Sequence, residues 1–314
     1  MTTTGDRQTA RFQPAGLFVP LITPFAADGS IAADALEQLA RRVLDEGASG
    51  IVALGTTAEA AALTVAERAQ VLDICARVCG ERAAPLIAGA GSNDTAASAD
   101  ALAGLAAWPE VSAALVVVPY YNRPGEAGVR EHFRVLATES PVPLIIYNIP
   151  HRTGQALGWP VMRELAQLAG IAGVKQATGG VDQDTVAMLG DRAPGFSVLA
   201  GDDAYAPALL ALGAAGAITA SAHVRTREFA RLAETWKQER VTEARQLGHG
   251  LARLSMALFA EPNPTVIKAV LYHLGEIPTP AVRLPLLPAS AASTEAALTA
   301  AAQPAMASQP ATGP

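Results

Sequence analysis

Eight short apolar segments recur along the chain, and each is followed by a stretch with the 3.6-residue spacing of an amphipathic helix. Strands that alternate with helices predict a parallel α/β sheet, and strands that are apolar along their whole length predict a sheet covered on both faces. A closed (β/α)8 TIM barrel is favoured over a doubly wound sheet, because eight strands close a barrel. The predicted strands are residues 17–22, 50–54, 86–88, 114–118, 144–147, 171–174, 197–200 and 217–219.

The barrel accounts for residues 16–225 and leaves both ends of the chain outside it. Residues 1–15 are predicted to be a flexible N-terminus. Residues 226–288 have a helical pattern with no further strand, which predicts a C-terminal helical extension. Residues 289–314 are rich in Ala, Ser, Thr, Pro and Gln and predict a short frayed helix followed by a disordered tail.

Charge and cysteine content argue against several functional classes. The net charge is -6, and no basic patch indicates nucleic-acid binding. The polar N-terminus lacks the apolar core of a signal peptide, so we expect a cytoplasmic protein. Cys75 and Cys79 stand four residues apart on a predicted helix without a nearby histidine, too few ligands for a zinc site. We therefore predict no metal.

One uncharged stretch, residues 205–224, is long enough to cross a bilayer. It is interrupted by Pro207, Gly213 and Gly216 and is rich in alanine. These residues favour a buried helix, a tight turn and a buried strand over a membrane span, and no membrane partner is expected.

Lys175 is the only charged residue in residues 171–177, which predict a buried strand followed by a turn. Burial disfavours a charged ammonium and lowers the pKa of a lysine, and the neutral amine is a nucleophile toward carbonyl groups. The alternative is a lysine whose stem lies along the core while its ammonium reaches water.

Polar residues gather where the predicted strands end, and catalytic groups of such barrels lie at these junctions. Three of the five tyrosines are among them. Each residue also has a purely structural interpretation: the threonines after the second strand and the aspartates after the seventh could cap helices. The junctions contain Thr56 and Thr57, Tyr120 and Tyr121, Tyr147 and Arg152, Lys175, and Asp202 and Asp203.

This set of residues could catalyse a reaction that proceeds through an imine. A neutral lysine attacks a ketone to form an imine, which converts to a nucleophilic enamine. Hydroxyl groups of Tyr and Thr can relay the protons that this requires. The residues around Thr57, at the start of the next helix, could hold the carboxylate of a 2-keto acid, and the planar fork of Arg152 could hold a second carboxylate.

The junction sequences, in this order, resemble the dihydrodipicolinate synthase and N-acetylneuraminate lyase family of class I pyruvate aldolases. The resemblance extends from about residue 17 to residue 288 and is greatest for the dihydrodipicolinate synthase branch. It implies a TIM barrel that condenses pyruvate with aspartate semialdehyde. Its motifs are Gly-Thr-Thr at 55–57, Tyr-Tyr-Asn-Arg-Pro at 120–124, Tyr-Asn-Ile-Pro at 147–150, Arg-Thr-Gly at 152–154, Gly-Val-Lys at 173–175, Gly-Asp-Asp at 201–203, Glu-Pro-Asn-Pro at 261–264 and Arg-Leu-Pro at 283–285.

The resemblance implies four catalytic residues. Lys175 would form the Schiff base with pyruvate, so that no cofactor is needed, and Tyr147 would be the nearby acid/base residue. Thr56 and Tyr121 would complete a proton relay with Tyr147. In the family this last tyrosine reaches into the neighbouring subunit, and the usual assembly is a homotetramer built from tight dimers.

The resemblance also implies a substrate-binding set. Thr57 would hold the pyruvate carboxylate and Arg152 the carboxylate of the aldehyde. Ile218 would offer its backbone carbonyl, and Gly201 belongs to a motif at the same end of the barrel.

Four positions depart from the family pattern. The usual Gly-Thr-Thr-Gly-Glu-Ser has Ala58 and Ala60 here, the usual Lys-Glu-Ala has Gln176, and the usual serine before the arginine is His151. They leave open a related 2-keto-acid aldolase or lyase that acts on another aldehyde or sugar acid. A catalytically idle barrel is the third alternative.

Overall fold

The structure is a computed structural model that describes residues 12–305. Eight parallel strands form a closed barrel in sequence order, with β1 paired to β8, which confirms the predicted fold. The predicted bounds hold to within about three residues, and β6 runs on through Lys175 to Gln176. The strands are β1 Gly16–Pro20, β2 Gly50–Ala53, β3 Leu86–Gly89, β4 Val111–Val117, β5 Leu144–Asn148, β6 Ile171–Gln176, β7 Ser197–Ala200 and β8 Gly216–Ile218.

Twelve α-helices follow the strands or extend the barrel within the described part of the chain. The short α5 extends from β5, while α1–α4 and α6–α8 alternate with the strands. They are α1 Ala33–Asp45, α2 Val65–Glu81, α3 Thr95–Gly104, α4 Gly125–Glu139, α5 Pro150–Thr153, α6 Trp159–Leu165, α7 Gln183–Gly190, α8 Ala206–Ala211, α9 Thr226–Lys237, α10 Val241–Leu258, α11 Thr265–His273 and α12 Ala291–Ala302.

The strand side chains alternate between two apolar clusters. Phe18, Ile145 and Leu199 belong to an inner cluster made almost entirely of strand residues, which therefore fills the barrel. The intervening strand residues pack with the helices in an outer cluster. The barrel closes tightly because Gly216 lies against Gly16: a Cβ on Gly216 would stand 2.1 Å from the Gly16 carbonyl oxygen.

The boundary between barrel and extension differs from the prediction. Helix α9 contacts β1, and its Phe229 and Leu232 belong to the outer cluster, so it is the eighth helix of the barrel layer. It takes this place because β8 also needs a helix to cover its outer face. The extension thus begins at α10 rather than at residue 226.

The segment predicted as a short frayed helix and a tail contains the well-packed helix α12. Its Ala297 is buried in the third apolar cluster, between α10 and α11. Ser290 caps its first turn and donates its hydroxyl proton to Glu261 (2.5 Å), and Arg225 donates to the Gln303 carbonyl (2.9 Å) at its other end. The helix predicted for this segment is present as Ala291–Ala302, and it is packed rather than frayed because its alanines fit closely against neighbouring helices. Residues 1–11 and 306–314 lie outside the described residues.

Residues 205–224 form a short helix, a turn and strand β8, as expected. Among the described residues, no helix has the length and apolar character needed to cross a membrane.

His223 joins the segment that follows β1 to the segment that follows β8. The Ile22 N–H donates to its Nε2 (3.1 Å), so its Nδ1 carries the proton and donates to the Ala220 carbonyl (2.7 Å). Burial lowers the pKa of this imidazole to about 4. The contact with Ile22 requires the neutral ring, because a protonated Nε2 could not accept.

We predict that His223 makes the fold acid-sensitive. Its stabilising effect is complete above the unfolded pKa of 6.5 and is lost as pH falls toward 4, because the unfolded chain binds the proton first. The free energy of unfolding should fall by up to about 1.4 kcal/mol per pH unit in this window. His223→Gln should flatten the slope in denaturant titrations from pH 4.5 to 7.5, whereas the exposed His273→Gln should retain it. Equal slopes in wild type and His223→Gln would contradict the assignment.

Candidate active site

Lys175 and Tyr147 lie side by side at the C-terminal end of the barrel. Their strands pair so that Tyr147 is opposite Lys175, and Lys175 is opposite Leu199 on β7. The Lys175 Nζ is 4.3 Å from the centre of the Tyr147 ring, and both residues are buried, with 6% and 7% of their surface exposed. No carboxylate forms a salt bridge with Lys175 among residues 12–305, so its amine is buried yet unpaired.

Gly201 makes room for the lysine stem. Its N–H donates to the Gln176 carbonyl (2.8 Å), which holds the end of β7 against β6. A Cβ at this position would stand 2.8 Å from Cγ of Lys175 and 2.9 Å from Cβ of Ala177. Any larger residue would therefore displace the amine.

Thr56 and Thr57 stand in a 3-10 helix, Thr56–Ala58, and not at the start of α2 as predicted. Thr57 is buried and its Oγ1 accepts from Nδ2 of Asn263 (2.9 Å), whereas Thr56 is exposed. The left-handed residues of this loop are Leu54 (φ 55°) and Glu59 (φ 54°). Ala58 therefore needs none of the conformational freedom that a glycine would give it.

Glu59 anchors this loop through a buried ion pair that the sequence did not reveal. Nζ of Lys268, on α11, donates to the Glu59 carboxylate (2.5 Å) and to the Ala281 carbonyl (2.8 Å). The Arg283 N–H donates to the other carboxylate oxygen (2.8 Å). Burial lowers the pKa of Lys268 to about 8, but its amine is enclosed by these partners and by the Phe25 ring.

Asp202 and Asp203 do not cap the helix that follows them, so that prediction is wrong. Asp202 accepts from the Gly179 N–H (2.6 Å), and the buried Asp203 accepts from the Ser221 N–H (2.5 Å). Both side chains instead bind loops after neighbouring strands. Burial raises the pKa of Asp203 to about 6, although the Ser221 N–H and the charge of Lys175 act in the opposite direction.

Gln176 has a structural reason to be an amide. Its Oε1 accepts from Nδ2 of Asn148 (3.0 Å), and its Nε2 donates to Oγ1 of Thr185 (3.1 Å). A glutamate could accept from Asn148 but could not donate to Thr185. This buried network links the ends of β5 and β6 to α7.

The remaining predicted residues lie at the same end of the barrel. Tyr121, in the loop after β4, is 89% exposed and has a φ of 69°. Arg152 is exposed on α5. Neither Tyr121 nor Thr56 hydrogen-bonds to Tyr147 among residues 12–305. Ile218 is buried in the inner cluster on β8. Parallel strands thus bring the set to one end, where Lys175 contacts the Tyr147 ring and its stem lies against Gly201.

A family model described as the dihydrodipicolinate synthetase family matches residues 13–303. The chain belongs to this family. A relative from Methanothrix thermoacetophila, named 4-hydroxy-tetrahydrodipicolinate synthase, is 38% identical over 277 residues, or 88% of this chain and 92% of the relative. The family assignment confirms the resemblance and makes the chain a lyase that forms or breaks carbon–carbon bonds.

Two solved structures of the family are similar to this one. The chloride-inhibited dihydrodipicolinate synthase of Acinetobacter baumannii, complexed with pyruvate, has a TM-score of 0.87 and 34% identity over 91% of this chain and 98% of that chain. A dihydrodipicolinate synthase variant described as the first monomeric one has a TM-score of 0.87 and 27% identity, covering 91% and 95%. Both confirm the barrel with its helical extension.

We predict that the Glu59–Lys268 pair is required for stability. Lys268→Met should cost about 3–5 kcal/mol of unfolding free energy, because it leaves the Glu59 carboxylate buried without its counter-charge. Glu59→Gln combined with Lys268→Met should recover much of the loss in denaturant titrations. The exposed pair Arg134–Glu131 supplies the control, since Arg134→Ala should change stability by less than about 1 kcal/mol. A double variant no more stable than Lys268→Met would refute the pairing.

Proposed function

We propose that the protein condenses pyruvate with an aldehyde through an imine on Lys175, and that the aldehyde is aspartate semialdehyde. The observation that carries this proposal is a buried amine at the C-terminal end of the barrel that contacts a tyrosine and has no salt-bridge partner in the described part of the chain. The names of the relatives support the same reaction. No external cofactor is required, because the lysine itself supplies the electrophilic imine.

The first half of the reaction forms the imine. The lone pair of the Lys175 amine attacks the ketone carbon of pyruvate and gives a carbinolamine. The carbinolamine then loses water and becomes the imine. Over the two steps the nitrogen gives up two protons, one to the ketone oxygen and one as the resulting hydroxyl leaves as water. Tyr147 moves these protons through its hydroxyl, and the proximity of its ring, 4.3 Å from the amine, supports this role.

The second half forms the carbon–carbon bond. The imine loses a proton from the methyl carbon of pyruvate and becomes an enamine, whose carbon attacks the aldehyde carbon. The aldehyde oxygen gains a proton and becomes a hydroxyl. The product leaves when water or its own amino group displaces Lys175, which regenerates the free amine.

The other residues take supporting roles. Thr56 and Tyr121 relay protons to and from Tyr147. Thr57 holds the pyruvate carboxylate, and Ile218 offers its backbone carbonyl to the bound substrate. Parallel strands support these roles, because they deliver the loops after β2, β4 and β8 to the end where Lys175 lies.

Arg152 binds the carboxylate of the aldehyde. It is exposed on α5, one turn beyond β5, and is therefore farther out than the buried amine. A related aldolase with a different aldehyde is the second candidate, favoured by the exposed His151, which stands beside Arg152 where the family usually has a serine.

We also propose a cytoplasmic homotetramer built from tight dimers. Tyr121 supports this assembly because 89% of its surface is exposed, and an exposed tyrosine is suited to contact a neighbouring subunit.

Borohydride reduction in the presence of pyruvate should attach a stable adduct to Lys175. The chain has three lysines, so peptide mass mapping separates the candidates cleanly. Lys237 is exposed on α9, and Lys268 is enclosed by its ion pair, so neither should be labelled. Lys237→Ala should retain the adduct and Lys175→Ala should lose it. Labelling of Lys268, or no adduct at all, would refute the mechanism.

Arg152→Ala should impair use of the aldehyde and spare the imine. Loss of a charge-assisted hydrogen bond of about 1.5–3 kcal/mol should raise the apparent KM for aspartate semialdehyde by roughly ten- to a hundredfold. Steady-state rates against a panel of aldehydes measure this effect, and trapping with pyruvate should stay near the wild-type level. The exposed Arg163 on α6 supplies the matched control, Arg163→Ala. Lost trapping in a folded Arg152→Ala would show that the arginine serves pyruvate instead.

A further inference from the structure

The Glu-Pro-Asn-Pro motif at residues 261–264 lies between α10 and α11, outside the barrel, yet one of its side chains reaches the active site. We propose, on the basis of the imine chemistry above, that Asn263 is a positioning residue. It fixes the Thr57 hydroxyl as a hydrogen-bond donor to the carboxylate of pyruvate.

The hydrogen bond between the two side chains sets the direction of the hydroxyl proton. Nδ2 of Asn263 donates to Oγ1 of Thr57 over 2.9 Å. A hydroxyl that accepts here keeps its own single proton for another acceptor. Among residues 12–305, no protein oxygen takes that proton from Thr57, so it remains available to a bound carboxylate.

The turn that carries Asn263 is held from both sides of the motif. Glu261 accepts from the Ser290 hydroxyl (2.5 Å) and N–H (3.0 Å) at the start of α12. The Thr265 N–H donates to the Pro262 carbonyl (3.0 Å), which closes the turn around Asn263. A donor fixed in this way loses little entropy when the substrate binds.

The threonine is held by the same part of the chain. Lys268, on the helix that follows the motif, binds Glu59, two residues after Thr57. The segments that carry Asn263 and Thr57 are thus also joined by the buried ion pair between Lys268 and Glu59. Thr57 is itself 3% exposed, so water competes weakly for its hydroxyl.

The chemistry at position 263 requires an amide. An aspartate has nearly the same shape, but its carboxylate would accept the Thr57 proton and would also repel the carboxylate of pyruvate. An alanine would only leave the hydroxyl free to rotate. A positioning role therefore predicts that Asp is more harmful than Ala, whereas a role in packing alone predicts the reverse.

The test measures imine trapping by borohydride as a function of pyruvate concentration in folded wild type, Asn263→Ala and Asn263→Asp. The half-saturating pyruvate concentration should rise by several-fold in Asn263→Ala and by about ten- to a hundredfold in Asn263→Asp. The limiting trapping rate at saturation should change much less. In a Thr57→Val background, Asn263→Ala should have no further effect, which keeps the test decisive if Asn263→Asp fails to fold.

The outcomes separate the two proposals. No adduct in the wild type would overturn the imine mechanism and, with it, the role of Asn263. Normal trapping in the wild type combined with a milder effect of Asp than of Ala would overturn the role of Asn263 alone. Additive effects of Thr57→Val and Asn263→Ala would do the same, because they would show that the two side chains act independently.

Discussion

The register between β5 and β6 is the constraint on which the active site depends. Because strand side chains alternate between two faces, a slip of one residue would turn Lys175 toward the helices and leave Tyr147 without its partner. The closed barrel prevents such a slip, since every strand is paired on both sides. The Asn148–Gln176 hydrogen bond lies one residue beyond Tyr147 and Lys175 and reinforces this register at the end where the two strands separate.

The C-terminal extension supports the other wall of the site. It supplies Lys268 to the Glu59 carboxylate and Asn263 to the Thr57 hydroxyl, so the loop after β2 is bound at two points. Helix α12 in turn is fastened to the motif that carries Asn263 through Ser290 and Glu261. The loop is held by these partners rather than by the short 3-10 helix Thr56–Ala58 alone. Such an arrangement would preorganise the proposed carboxylate site.

The sequence predicted the parts of this molecule that depend on local pattern. Apolar segments indicated the eight strands, and Lys175 and Tyr147 became candidates because each stands at the end of such a segment. The pairing of Glu59 with Lys268 could not be found in this way, because 209 residues separate them and a local pattern carries no information about such a distant contact. The burial of Asp203 and the packing of α12 were missed for the same reason: composition indicates polarity and helix propensity, and only tertiary contacts determine what is buried.

Two of the three lysines are buried, so burial alone does not identify the nucleophile. Lys268 is the more deeply enclosed, and burial lowers its pKa to about 8, which by itself would favour it as the reactive amine. However, its lone pair could be freed only by breaking contacts to Glu59 and Ala281, and the Phe25 ring covers it. Among residues 12–305, neither a carboxylate nor a hydrogen bond holds the amine of Lys175, which lies at the end of the barrel where the polar loops converge. The pairing of the ammonium, more than its depth in the protein, therefore separates the structural lysine from the proposed catalytic one.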